Sequence, residues 1–157
     1  MEARAAVFFY SKTGNTKKIA IAISRAIKAS LIDIGKIASA KRKLGIEQYD
    51  ILFIGSPVYA CGPAPIVKSF IQELPRLKEK KAAIFCTYAL IGAKTSLKKM
   101  ASLLRKKGAF IVGKYACKAE SALFAGIGPK IWNKGRPNRK DLDRAAEFAR
   151  NCISERF

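Results

Sequence analysis

Six consecutive residues, Ser11-Lys12-Thr13-Gly14-Asn15-Thr16, gather short polar side chains around one glycine. An apolar run ends just before them at Tyr10, and helical periodicity begins just after them at Ile19. They therefore sit at a strand-to-helix turn, and such a turn suits a phosphate. The helix start offers unpaired backbone N–H groups and a partial positive charge. Ser11, Thr13, Asn15 and Thr16 add side-chain donors. Gly14 permits the tight turn that closes the backbone around an anion. The same residue types also make an ordinary capped helix start, since Ser and Thr are common N-caps. No G-x-x-x-x-G-K-[ST] loop is present and no G-x-G-x-x-G follows this strand, so neither a nucleoside-triphosphatase loop nor a dinucleotide fingerprint is supported.

Two more loops carry aromatic rings. The apolar run Ile51–Ile54 leads into Gly55-Ser56-Pro57-Val58-Tyr59-Ala60-Cys61-Gly62-Pro63-Ala64-Pro65, a turn stiffened by three prolines. The run Ala82–Thr87 leads into Tyr88-Ala89-Leu90-Ile91-Gly92. Three strands thus deliver three loops to the carboxyl edge of one sheet, where open α/β sheets bind ligands at the point of strand-order reversal. A phosphate loop beside two tyrosine-bearing loops suits a ligand with a phosphate at one end and a flat ring at the other.

The elements that must position these loops alternate along the chain. Ala5–Tyr10, Ile51–Ile54, Ala82–Thr87 and Ala109–Val112 are continuous apolar runs, as expected of strands covered on both faces, and Leu31–Ile34 is a weaker fifth. Strands are expected near 4–10, 30–34, 49–55, 81–87 and 109–116. Single apolar stripes predict helices near 15–28, 64–74, 94–107 and 139–154, with Lys and Arg on the opposite faces. The reading is one α/β domain over 1–157, with helices on both sides of a parallel sheet. Residues 36–48 are too mixed to assign. Residues 118–138 mix Gly126, Gly128, Pro129, Gly135 and Pro137 with Leu123, Phe124, Ile127, Ile131 and Trp132. They are expected to make a surface excursion whose apolar side chains fold back as a satellite core.

Composition narrows the chemistry. With 157 residues and half of them hydrophobic, the chain can build a real core. It contains no histidine, which removes Ser-His and Cys-His hydrolysis. Cys61, Cys86, Cys117 and Cys152 stand far apart, which argues against a disulfide framework or a zinc site. Cys61 is read as an inert thiol in the second loop and the other three as core fillers. The longest uncharged stretch, Ile51–Val67, is broken by glycines and prolines, so no membrane span is expected. The start Met1-Glu2-Ala3-Arg4 shows no cleavage signal, and a cytoplasmic location is the expectation.

In order and register the three loops resemble those of the flavodoxins, small carriers of flavin mononucleotide (FMN). Ser11 to Thr16 resembles their phosphate signature, Gly55-Ser56-Pro57-Val58-Tyr59 their ring-contacting loop, and Cys86-Thr87-Tyr88 stands in the third. The ending Asn133-Lys134-Gly135-Arg136-Pro137-Asn138, followed by Asp141-Leu142 and Ala145 to Ala149, is similar to that of a short flavodoxin-like subfamily. The resemblance implies a three-layer α/β/α sandwich with a five-stranded parallel sheet in the order 2-1-3-4-5. It implies that Ser11, Lys12, Thr13, Gly14, Asn15 and Thr16 hold the FMN phosphate. Ser56, Pro57, Val58 and Tyr59 would line one side of the isoalloxazine, Tyr88 would flank the other, and Thr87, Ala89 and Gly92 would contribute backbone contacts. Gly62 would be the site of a peptide rearrangement that follows flavin protonation. The implied activity is electron transfer, with the flavin supplying the chemistry.

One departure is the charge. Flavodoxins are typically acidic, whereas this chain has 31 Lys and Arg against 11 Asp and Glu, a net charge of +20. One charge about 12 Å from the flavin contributes roughly 0.3 to 0.7 kcal/mol at a dielectric of about 40 to 80. Reduction adds negative charge, so a less negative potential than in acidic flavodoxins is expected. The basic clusters, among them Lys41-Arg42-Lys43 and Arg105-Lys106-Lys107, read as solvated faces or as a docking surface for an acidic redox protein. Peripheral contact with an anionic membrane is a further option, while nucleic acid has no recognition pattern to support it. The leading reading is an FMN electron carrier without a metal. An FMN-dependent reductase of quinone or another small acceptor is second, and a flavin-free interaction module third.

Overall fold

The computed structural model describes residues 3–37, 44–124 and 129–154, and of these the side chains outside 122–130. The Lys41–Lys43 cluster and Gly126, Ile127 and Gly128 lie outside the described residues.

Five strands form the parallel sheet: β1 (Ala5–Phe9), β2 (Ser30–Asp33), β3 (Ile51–Tyr59), β5 (Lys81–Tyr88) and β6 (Phe110–Lys118). Their order is β2-β1-β3-β5-β6, and every neighbour along it is parallel. Counting these five alone, this is the expected 2-1-3-4-5 arrangement. Alternate residues of a strand face opposite sides, and β1 uses both. Ala6 and Phe8 join one core with the helices α3 (Pro65–Glu73) and α4 (Ala93–Lys106). Ala5, Val7 and Phe9 join a second core with α1 (Asn15–Ile27) and α5 (Arg139–Ser154). Two cores, one on each face of the sheet, make the three-layer sandwich.

Local chemistry sets the element ends. Pro65 occupies the first turn of α3, where its missing N–H costs nothing, and Leu74 before Pro75 ends the helix. Gly92 precedes α4 with φ +93°, a left-handed cap. Strand β3 runs four residues beyond the Ile51–Gly55 stretch that pairs with β1, carrying Pro57 inside it. Proline is tolerated there because β1 has already ended. Pro57 lies opposite Thr87 of β5 and has no ladder partner on its other side. The chain then folds back through β4 (Gly62–Pro63), which pairs antiparallel with Val58 and Tyr59.

Residues 36–48, unassigned from sequence, contain the end of the short helix α2 (Ile34–Ile37) and a 3-10 turn at Ile46–Gln48. The 118–138 connection is more ordered than its composition suggests. It forms an antiparallel hairpin, β7 (Ser121–Phe124) with β8 (Pro129–Trp132), outside the main sheet. Ile131, expected to fold back, is 51% exposed instead.

Candidate functional site

The order of the sheet reverses at β1, between β2 on one side and β3 on the other. Beyond the carboxyl ends of β1, β3 and β5 lies a cleft of about 610 Å³, a size typical of small-ligand sites. A second cavity of about 670 Å³ lies at the amino ends of the strands, against Arg4, Lys28 and Arg150. Ligands of open α/β sheets bind at the carboxyl edge, so the first cleft is the candidate.

The turn after β1 is shaped by its own polar groups. The Gly14 N–H donates to Ser11 Oγ at 3.0 Å, closing the loop. Gly14 holds φ +95° and caps α1, and a Cβ there would project into open space. Glycine is required here by the backbone angle rather than by crowding. Among the described residues no side chain hydrogen-bonds to the helix start as a cap, so the first-turn N–H groups remain open to an anion. Lys12 and Thr13 are exposed, whereas Thr16 is buried, its Oγ1 at 2.7 Å from Thr87 Oγ1. That bond ties the first turn of α1 to the end of β5.

Ser11, Lys12, Thr13, Asn15 and Thr16 line the cleft together with Pro57, Val58, Tyr59, Thr87, Tyr88 and Ala89. Three predicted site residues are not among its walls. Ser56 is fully buried, accepting from the Ala64 N–H and donating to the Pro57 carbonyl, both at 2.8 Å. Its hydroxyl therefore clamps the β3–β4 turn. Gly92 stands behind the wall, where a Cβ would come within 2.8 Å of Cys61 Cα and 3.0 Å of Val58 Cγ1. Gly14 shapes the loop from within. Burial raises the Tyr59 phenol above its ordinary range, with Tyr10 adding to the effect, so the hydroxyl keeps its proton at neutral pH.

A fourth wall comes from the 118–138 connection, which the sequence did not place at the site. Ala119, Glu120, Ser121, Gly135 and Arg136 line the cleft, as does Lys18 of α1. The Asn15 Nδ2 donates to the Glu120 carbonyl at 2.8 Å, and the Glu120 N–H donates to the Arg136 carbonyl at 2.9 Å. Asn133 Nδ2 donates to the carbonyls of Ala89 at 2.6 Å and Ala119 at 3.1 Å, joining this wall to the third loop. The sequence signals were a long connection rich in glycine and proline and the family-like ending Asn133–Asn138, neither of which placed these residues at the cleft. Among the described residues no group of three or more His, Cys, Asp or Glu is placed to hold a metal. No helix among them is long and apolar enough to cross a membrane.

These features fit a flavin mononucleotide: open N–H groups and hydroxyls at one end, and two tyrosines with a proline-stiffened strand at the other. The sequence model of the flavodoxin domain matches residues 6–115. An uncharacterized protein of Methanocaldococcus jannaschii is 30% identical over 145 residues, covering 88% of this chain and 90% of that one. Among solved structures, a flavodoxin from the domain Archaea superposes with a TM-score of 0.70 at 20% identity, over 95% of this chain and 96% of that one. The rubredoxin oxygen:oxidoreductase of Desulfovibrio gigas superposes with a TM-score of 0.75 at 18% identity, over 96% of this chain. The match spans only 35% of that longer protein. The chain belongs to the flavodoxin domain family, flavoproteins whose cofactor is FMN.

Proposed function

We propose that this protein binds FMN at the β1/β3 crevice and works as an electron-transfer protein. The observation that carries the reading is the convergence of the phosphate loop and both tyrosine loops on one cleft at the switch point of the sheet. Bound FMN supplies the one- and two-electron chemistry. The protein's share is to hold and orient it. The open N–H groups of the α1 start, with Ser11, Thr13, Asn15 and Thr16, hold the phosphate. Pro57, Val58 and Tyr59 form one wall of the ring site, and Tyr88 and Ala89 another. Gly92 lets the second and third loops approach closely enough to keep those walls in place.

The expected partner is an acidic redox protein. The third loop presents Leu90 at 47% and Ile91 at 74% exposure, beside the cleft wall formed by Tyr88 and Ala89. Basic residues stand at helix starts, where acidic ones are usual: Lys94 on α4 directly after this loop, Lys18 of α1 on the same cleft, and Lys17 beside it in sequence. Neither first turn contains an acidic residue. Each such lysine opposes the helix dipole at a cost of about 0.3 to 1 kcal/mol. An apolar patch with a positive border suits a transient acidic partner.

The direct test is titration of the apoprotein with FMN, followed by flavin absorbance and fluorescence and then by anaerobic reduction. Retained flavin that exchanges electrons with an acidic carrier supports the reading. Fast turnover with quinone in place of carrier exchange would move it to a reductase, and failure to hold FMN would overturn it.

A further inference from the structure

The phosphate loop of this chain is built from neutral donors, yet the wall that closes over it is charged. Arg136 lines the same cleft as Ser11, Thr13 and Asn15. It is joined to them through Glu120, whose carbonyl accepts from Asn15 Nδ2 at 2.8 Å and whose N–H donates to the Arg136 carbonyl at 2.9 Å. The guanidinium does not float. Its Nε donates to Asp141 Oδ2 at 2.9 Å and its Nη2 to Asp141 Oδ1 at 2.5 Å. Asp141 is 4% exposed at its side chain and is held in turn by the Asn138 N–H at 2.9 Å. Two of the five N–H groups of the guanidinium are thus used to fix its plane, and the others have no hydrogen-bond partner among the described residues, which leaves them to an anion.

We infer that Arg136, oriented by Asp141 and assisted by Lys12 and Lys18, forms a cationic end to the FMN site that recognises the phosphate by charge as well as by backbone donors. The inference rests on the FMN reading above. Two observations favour a ligand role over a merely structural ion pair. Arg136 is linked to the phosphate loop through Glu120, which accepts from Asn15 105 residues away and donates its N–H to the Arg136 carbonyl. Lys18 lines the same cleft from the first turn of α1, where the helix dipole disfavours a lysine unless an anion is close. Of the acidic side chains nearby, Asp141 is paired with Arg136, while Glu120, which also lines the cleft, accepts from the Gly135 N–H at 2.7 Å through Oε2 and keeps its charge, so the positive balance rests on Lys12 and Lys18 beside Arg136. Asp141 acts through Arg136 and is a positioning residue.

The test compares dissociation constants of FMN and of riboflavin, which lacks the phosphate, for the apoprotein at low and high sodium chloride. Arg136→Gln is expected to weaken FMN about tenfold or more and leave riboflavin unchanged, so that discrimination falls. Lys18→Gln, an exposed change that spares the fold, is expected to weaken FMN severalfold and to reduce the salt dependence of binding. Arg136→Lys should recover part of the loss. Asp141→Asn should lower discrimination in the same direction as Arg136→Gln, and circular dichroism establishes that each variant is folded. An unchanged FMN-to-riboflavin ratio in folded Arg136→Gln and Lys18→Gln, with the parent binding FMN tightly, overturns the cationic site alone. A parent that binds neither flavin overturns both the site and the reading beneath it.

Discussion

At Gly92 two constraints meet in one residue. Its φ of +93° lies in the left-handed region, and a Cβ would stand 2.8 Å from Cys61 Cα, closer than real Cβ atoms pack. Gly92→Ala is therefore expected to cost about 1 to 3 kcal/mol, read as a lower denaturant midpoint. FMN affinity should fall with it, because relief requires the 58–61 turn to move out of the cleft wall. A variant as stable as the parent would mean that the loops do not meet there. Ser96 predicts the opposite sign. It is fully buried in the first turns of α4, and its hydroxyl has no hydrogen-bond partner among the described residues. Ser96→Ala removes an unpaired polar group, so stability should hold or rise by up to about 1 kcal/mol. A loss above that range would mean the hydroxyl has a partner. Residue type alone hides such distinctions. Ser56 and Ser11 both stand at the carboxyl edge of the sheet, but Ser56, inside β3, is spent on Ala64 and Pro57 whereas Ser11 lines the cleft.

Among the elements, α5 has the most explicit start. The Asn138 side chain accepts from the Asp141 N–H at 3.1 Å while Asp141 accepts from the Asn138 N–H at 2.9 Å, a reciprocal capping box. The hydrogen bond from Arg136 is the main reason the Asp141 carboxyl is held below its usual range, with burial opposing it. A depressed folded pKa means that the unfolded chain takes up the proton first. The stabilisation is thus fully present above the unfolded value of about 3.9 and is lost as pH falls through the folded pKa. Asp141→Asn is expected to be less stable at neutral pH and to show a shallower loss below about pH 4, by thermal melts across pH. Parallel curves for parent and variant would contradict this. The strands and helices around the site were legible because buried strands read as unbroken apolar runs and amphipathic helices as single stripes. The extension of β3 through Pro57 was not, because it depends on where β1 stops. The fourth wall was not legible either. It is created by a contact between Asn15 and Glu120, and nothing local to either residue announces a partner 105 positions away.

For the molecule as a whole, the net charge of +20 is the long-range contribution to any encounter with another protein. Its effect acts over a Debye length of about 8 Å at physiological ionic strength, so it sets encounter rates more than bound affinity. Electron delivery to an acidic carrier should slow several-fold between about 0.05 and 0.5 M salt, while delivery to a basic acceptor should not. Equal salt profiles for the two, by stopped-flow mixing, would remove charge from the account of partner choice. The four thiols divide in a way that has a practical consequence. Cys86, Cys117 and Cys152 are buried, and burial first of all pushes Cys86 up to about 12 and Cys117 to about 11. Cys61 is half-buried on the turn between β3 and β4, packed where the second and third loops meet. Under native conditions a maleimide should therefore modify one thiol per chain, at Cys61, and unfolding should raise the count to four. The protein thus carries a ready attachment point for a fluorophore or spin label on the turn two residues past Tyr59 of the cleft wall, from which arrival of a ligand and docking of a partner can each be watched without engineering a new cysteine.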